Sequence, residues 1–388
     1  MEYIALKNIC KINMGQSPDS SSYNDNKDGI PFFQGNADFG EKYPVTRVWC
    51  NAPIKVAQPN DILISVRAPI GALNFAKEEC CIGRGLAALT PDRSKVSLEF
   101  IYWVLKWKKA ELNSKGTGST FKAISRKVLE ETLVPAIDFE KQYEYAEILG
   151  KTYSVIKKYK KELNCLDGLI KARFVEMFGD PRSNPFGFEK KRLKDTCKVI
   201  TGNTPSRAIE EYYGDYIEWI KTDNIVSGIL NPTQATESLS EKGMNVGRTV
   251  EKDSILMACI AGSIASIGRV CITDRTVAFN QQINAVVPEQ YNILFLYVLF
   301  QMSKDYLVED INMALKGILS KSKLEEKEFI IPPMDLQEQF SDFVKQVDKS
   351  KVAVQKALES VNMTMYRGYS PNYIRACIIS HKLIINTI

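Results

Sequence analysis

Apolar residues follow two rhythms along this chain. One is short and bounded by Asn, Asp, Pro and Gly, as in "NDILISVRAPIG" from Asn60, "KDSILMACIAGSIASIG" from Lys252, "CIGRGLAALTP" from Cys81 and "AFNQQINAVVP" from Ala278. Apolar and β-branched runs punctuated in this way predict strands. The other rhythm is long. Leu149, Ile156, Leu163, Ile170 and Met177 fall seven apart, Tyr153 and Phe174 take the complementary position, and Lys160 and Asp167 interrupt the series. Phe340, Val344, Val347, Lys351, Val354, Leu358, Val361 and Met365 alternate spacings of four and three. Such narrow apolar seams predict helices that pair along their length. The predicted helices cover about 139–178 and 334–367, and the first would be about 60 Å long at the α-helical rise. Gly179 can cap it and Pro181 blocks its continuation. Leu149, Tyr153, Ile156, Leu163 and Ile170 are expected to pair with Val347, Val354, Leu358 and Val361.

The strand-rich stretches repeat. "LKNICKINMGQSP" from Leu6 returns as "LKDTCKVITGNTP" from Leu193. Leu193 and Cys197 should face a core, and Gly202 and Pro205 should shape a turn. The repeat continues in order with "IPFFQGNADFG" and "IEWIKTDNIVSG", the four strand segments above, "FIYWVL" and "FLYVLF", and "LVPAIDFEKQ" and "IIPPMDLQEQ". This is a duplicated unit of roughly 190 residues, too long for a solenoid repeat. The plan is therefore globular unit, long helix, globular unit, long helix. Helices of equal kind closing on each other antiparallel would give pseudo-twofold symmetry. The tail "IRACIISHKLIINTI" has no counterpart after the first helix.

Composition narrows the chemistry. The 388 residues are 45% hydrophobic and 25% charged, as in globular proteins. "YNILFLYVLFQM" is too short to span a bilayer, and "MEYIALKNIC" lacks a secretory pattern, so a cytoplasmic location is expected. Nine cysteines, none in a Cys-x-x-Cys pair, read as reduced and mostly buried thiols. The single histidine, His381, disfavours His-based catalytic sets and His-rich metal centres. No phosphate-binding Gly-x-x-x-x-Gly-Lys-[Ser/Thr] loop is present. "GTGST" at Gly116, and Pro18-Asp19 followed by Asp25-Asn26-Lys27, read as ordinary loops. No catalytic residue and no metal ligand is assigned. A net charge of +5 permits a polyanionic partner without demanding one.

What recurs in both units is polar and basic residues at loop and strand ends. They are Gln34, Asn36, Arg67, Arg84, Lys122, Arg126 and Lys127 in the first unit. In the second they are Lys221, Asp223, Asn224, Asn280, Gln281, Gln282, Lys316, Lys321 and Lys323. Lys and Arg neutralise phosphates, while Arg, Asn and Gln make paired hydrogen bonds to base edges, so DNA contact is expected there.

At this point the chain resembles the specificity subunits of type I restriction-modification systems (HsdS family). The resemblance covers residues 1 to 367. It rests on the two "LK..CK...G..P" openings, "DILIS" and "SILMA", "GRGLAAL" and "NQQINAV", "VPAIDFEKQ" and "IPPMDLQEQ", and "LDGLIKARFVEMFGDP". It implies an α+β chain with two tandem homologous target recognition domains at 1–138 and 186–333. Spacer helices at 139–185 and 334–367 would pair as an antiparallel coiled coil, leaving an atypical tail at 368–388. The resemblance further implies a noncatalytic subunit reading a bipartite, asymmetric site in double-stranded DNA. Two methyltransferase (modification) subunits and a motor-nuclease (restriction) subunit would be its partners, with S-adenosylmethionine, ATP and Mg on those partners and none on this chain. The second helix departs from the pattern, with "VNMTMYRGYSPNY" where a copy of "LIKARFVEMFGDP" would stand. That leaves a stand-alone or degenerate DNA-binding protein of the same fold, without an enzyme partner, as the alternative. An enzyme with an unrecognised site is the weakest reading.

Overall fold

The computed structural model describes residues 2–118, 122–311 and 317–368. Two compact units emerge, Met1–Lys158 with Leu358–Ile388, and Tyr159–Ala357. The division falls inside both long helices, Phe139–Phe178 and Met334–Gly368. Each unit is therefore a domain together with parts of the helices.

In the first unit a four-stranded sheet runs in the order Cys10–Met14, Leu86–Pro91, Ile62–Ser65, Leu73–Phe75, antiparallel throughout. A second sheet of five short strands runs Tyr23–Asn24, Trp49–Cys50, Ile30–Phe33, Cys80–Ile82, Val56–Ala57. Its one parallel pairing sets Phe32 opposite Cys81. In the second unit Cys197–Thr201, Ile283–Pro288, Ile255–Ala258 and Val270–Ile272 repeat the first order. Tyr213–Gly214, Ser238–Leu239, Ile217–Ile220, Val277–Phe279 and Thr249–Val250 repeat the second, with Trp219 parallel to Ala278.

The "DILIS" strand shows why these sequences form this architecture. Successive side chains of a strand face opposite ways. Ile62 and Ile64 join the cluster under the helix Leu98–Trp107, with Phe100 and Ile101. Leu63 joins Ile82 and Leu86 on the other face. Ile255 and Met257 against Leu256 and Ala258 divide in the same way. A strand buried on both faces reads as a continuous apolar run. Ser97 caps the helix Leu98–Trp107 and Asn292 caps Ile293–Met302, each accepting from backbone N–H groups of the first turn.

The repeated opening segments share more than a core face. Leu6, Cys10, Leu193 and Cys197 are buried as expected. Gly202, expected to shape a turn, instead ends a strand pressed against another backbone. A Cβ there would lie 2.2 Å from the Asn280 carbonyl oxygen, and one on Gly15 would lie 2.2 Å from that of Gly83. The glycine recurs because no side chain fits.

Each domain joins its long helix through a buried glutamine. Gln142 Oε1 accepts from Ser97 N–H (2.8 Å), and its Nε2 donates to the Ile137 carbonyl (2.8 Å). Gln337 does the same with Asn292 N–H (2.9 Å) and the Pro332 carbonyl (2.8 Å). The structural partner of Gln142 is thus Gln337, whereas the letters "DFEKQ" and "DLQEQ" align it with Gln339.

Within the second unit the two long helices run antiparallel. Asp167 meets Lys351, while Phe174 and Phe178, further along the first helix, meet Phe340, earlier in the second, with ring centroids 5.6 and 5.5 Å apart. Val347, Leu358 and Ile156 are buried, and Leu149, Leu163, Ile170, Val354 and Val361 are half-buried. Ile170 packs on the second unit's core. Tyr153 turns toward its own domain, edge-on to Trp103 at 5.4 Å. Gly179 ends the first helix at φ +71, and its N–H returns to the Val175 carbonyl (2.9 Å).

Candidate nucleic-acid interface

Backbone hydrogen bonds draw most of the first unit's predicted residues to one end of its sheets. Gly85 N–H donates to the Gln34 carbonyl, Val66 N–H to Gly85, Ile124 N–H to Val66, and Ala68 N–H to Lys122 (2.9 to 3.1 Å). Arg67 bridges to Ala123. Gln34, Arg67, Arg84 and Lys122 therefore lie on adjacent loops, all exposed, with Asn36 half-buried beside Gln34. Asp38 fixes the loop start by accepting from Gln34 N–H (2.8 Å). Ser17 Oγ donates to Gln34 Oε1 (3.0 Å) and accepts from Arg84 N–H (3.2 Å). Among the described residues Arg67, Arg84 and Lys122 form no ion pair. Three exposed, unneutralised cations on neighbouring loops suit a phosphate backbone. Arg126 and Lys127 differ, being paired within their own helix to Glu130 (2.7 Å) and Glu131 (3.8 Å).

The second unit builds the same end with other side chains. Asn280 N–H donates to the Ile220 carbonyl, Cys259 N–H to Gln282, and Leu319 N–H to Cys259 (2.8 to 3.0 Å). Lys221 and Gln281 follow their parallel strands as Gln34 and Arg84 do in the first unit, and Asp223 lies in the short helix Thr222–Asn224 as Asn36 lies in Asn36–Asp38. The Thr204 hydroxyl contacts Gln281 Oε1, whereas its counterpart Ser17 donates to Gln34 Oε1 and accepts from Arg84 N–H. Charge is handled differently here. Lys221 is bound by Glu237 (2.7 Å), which also holds Arg207 (2.6 Å). The bonds from Lys221 and then Arg207 keep the Glu237 carboxyl below its usual range. Arg207 lies over Tyr213 and Trp219, 4.4 and 5.2 Å from the ring centroids.

Two expected base-contacting side chains are committed to the loops themselves. Asn224, 7% exposed, accepts from Lys221 N–H (2.9 Å) and donates to Thr233 and to the Gln234 carbonyl. Asn280, 6% exposed, accepts from Gln282 N–H (3.1 Å) and donates to its side-chain oxygen (3.3 Å). A buried amide with its bonds satisfied inside a turn is not free to read a base. Gln281 is exposed and Gln282 half-buried. Lys321 pairs with Glu325 (3.5 Å), and Lys323 donates to the Asp310 carbonyl (3.2 Å). Lys316 lies outside the described residues. Sequence reading missed Ser17, Thr204 and Arg207, although a hydroxyl residue before proline recurs in "GQSP" and "GNTP".

Among the described residues no group of acidic, His and Cys side chains is placed to hold a metal ion. No described helix is long and apolar enough to cross a membrane. Burial raises the thiols of Cys10, Cys80, Cys197, Cys259 and Cys271 to about 12.

Two copies of one α+β domain, each continuing into a long helix and each carrying a polar or basic loop end, define a tandem recognition chain. The chain belongs to the type I restriction modification DNA specificity domain family, whose model matches residues 1–165 and 185–361. It is 44% identical over 152 residues to a putative type I restriction enzyme MjaX specificity subunit of Methanocaldococcus jannaschii, a match covering 39% of this chain and 36% of that one. The MjaIX specificity subunit of the same organism is 25% identical over 344 residues, covering 82% and 78%. The crystal structure of a type I restriction-modification system S subunit from M. genitalium shares the fold over 93% of both chains, with a TM-score of 0.55 at 15% identity.

Proposed function

We propose that this chain is the DNA-reading subunit of a type I restriction-modification complex. Each domain reads one half of a bipartite target, and the long helices set the spacing and dock two methyltransferase subunits. The observation that carries this reading is the duplicated loop end. The same backbone framework presents Gln34, Arg67, Arg84 and Lys122 in one unit and Lys221, Asp223 and Gln281 in the other. Equal frameworks with unequal side chains suit two half-sites of different sequence, so the target is asymmetric. The subunit is noncatalytic and works in the cytoplasm. S-adenosylmethionine, ATP and Mg belong to its methyltransferase and motor-nuclease partners.

Long-read methylation sequencing of DNA from cells with and without this gene tests the proposal. A two-part methylated motif that disappears with the gene is expected. Unchanged methylation would reject the specificity role and leave the chain as a reader without an enzyme partner.

A further inference from the structure

We propose that each long helix carries a lysine that acts as a strut under the reading loop of its own domain: Lys157 on Glu41 in the first unit, and Lys351 on the Gly228 carbonyl in the second. Both lysines are positioning residues. This rests on the DNA-reading function proposed above and deepens it, because it says what fixes the loops that discriminate bases.

The two struts lie at neighbouring rather than identical positions of their helices. Lys157 follows the helix start Phe139 by eighteen residues and Lys351 follows Met334 by seventeen, so from the equivalent Gln142 and Gln337 they are one residue out of register. Glu41 follows the Gln34–Asn36 segment in one loop, and Gly228 follows Lys221–Asn224 in the other. The loops then return to the sheet by matching bonds, Phe75 N–H to the Lys42 carbonyl (2.9 Å) and Ile272 N–H to the Leu230 carbonyl (2.8 Å). The candidate reading residues thus lie between a sheet strand on one side and a helix-borne ammonium on the other.

Each unit anchors its loop in its own way. Lys157 forms an ion pair with Glu41, and its ammonium lies 5.4 Å from the Tyr153 ring centroid. Lys351 donates to the Gly228 carbonyl (3.3 Å) and pairs with Asp167 (2.7 Å) of the other helix. Its side chain is only 14% exposed, so its charge needs those partners to offset lost hydration. Gly228 has φ +83, a left-handed conformation that aims this carbonyl and that a side chain would oppose. The residues interrupting the two apolar seams, Asp167 and Lys351, therefore meet, and Lys351 reaches the loop.

A surface ion pair contributes little to stability by itself. The strut instead predicts a change in discrimination confined to one half-site. The test introduces Lys157→Met, Glu41→Gln and Lys351→Met separately into the full-length gene in its own cells and reads methylated motifs by long-read sequencing. Lys157→Met and Glu41→Gln should raise methylation at sites mismatched in one half about tenfold, roughly the effect of weakening one base-pair discrimination. Lys351→Met should do so only in the other half, and Lys157→Arg should restore the first. Hydrogen exchange on the purified full-length variants should show faster exchange confined to 36–45 or to 222–233, with an unchanged unfolding midpoint for the Lys157 and Glu41 variants. Motifs unchanged in both halves, or relaxed equally in both, would overturn the strut. If wild-type cells show no gene-dependent motif, the DNA-reading proposal fails, and the exchange result alone then decides whether the lysines order the loops.

Discussion

At the scale of single residues, the repeated opening words of the two units are structural. Gly15 and Gly202 are fixed by the carbonyl oxygens they touch. Gly202→Ala should cost about 1–3 kcal/mol, because backbone rather than a flexible side chain must move. A lowered denaturation midpoint in urea would show it, and an unchanged midpoint would mean that the loop beyond Phe279 yields freely. The cysteines follow the sequence reading with one exception, since Cys165 on the first long helix is exposed and the other seven described cysteines are buried. A thiol reagent at pH 8 should therefore modify Cys165 before any of those seven, as peptide mapping can show. The buried thiols held near 12 carry almost no thiolate at that pH. The candidate DNA residues were legible as letters but not as roles. Gln34 and Arg84 are presented outward, whereas Asn224 and Asn280 use their amides to build the same loops. Asn suits both tasks, and only the hydrogen-bond partners distinguish them.

At the scale of elements, periodicity located both long helices, and their seams match the burial along Phe340, Val344, Val347 and Leu358. It did not show where a helix stops facing its domain and starts facing another helix. Tyr153 fits the heptad yet packs on Trp103, because an aromatic at that height finds an aromatic domain surface first. The joints between domain and helix were hidden for a different reason. Gln142 and Gln337 are polar letters in a polar-looking stretch, and burial makes them essential. Gln337→Leu should cost about 1–3 kcal/mol, since it leaves Asn292 N–H and the Pro332 carbonyl without their partner. Calorimetry should show the loss. Retention of full stability would mean that the capped helix Ile293–Met302 holds the junction unaided.

At the scale of the whole molecule, the proposed function makes the helices rulers. Inserting one helical turn between Lys158 and Leu163, beyond the Lys157 strut, should lengthen the unspecified stretch of the methylated motif and leave the letters of both half-sites intact. An unchanged motif in methylation sequencing would count against the ruler. The sequence by itself determined the duplication, the order of strands and helices, and the apolar seams, because burial and hydrogen bonding impose short-range periods on the chain. Only the tertiary structure decided that Gln142 corresponds to Gln337, that Asp167 meets Lys351, and which loop residues face outward. Those outcomes depend on partners far apart in sequence, where no local period carries the information.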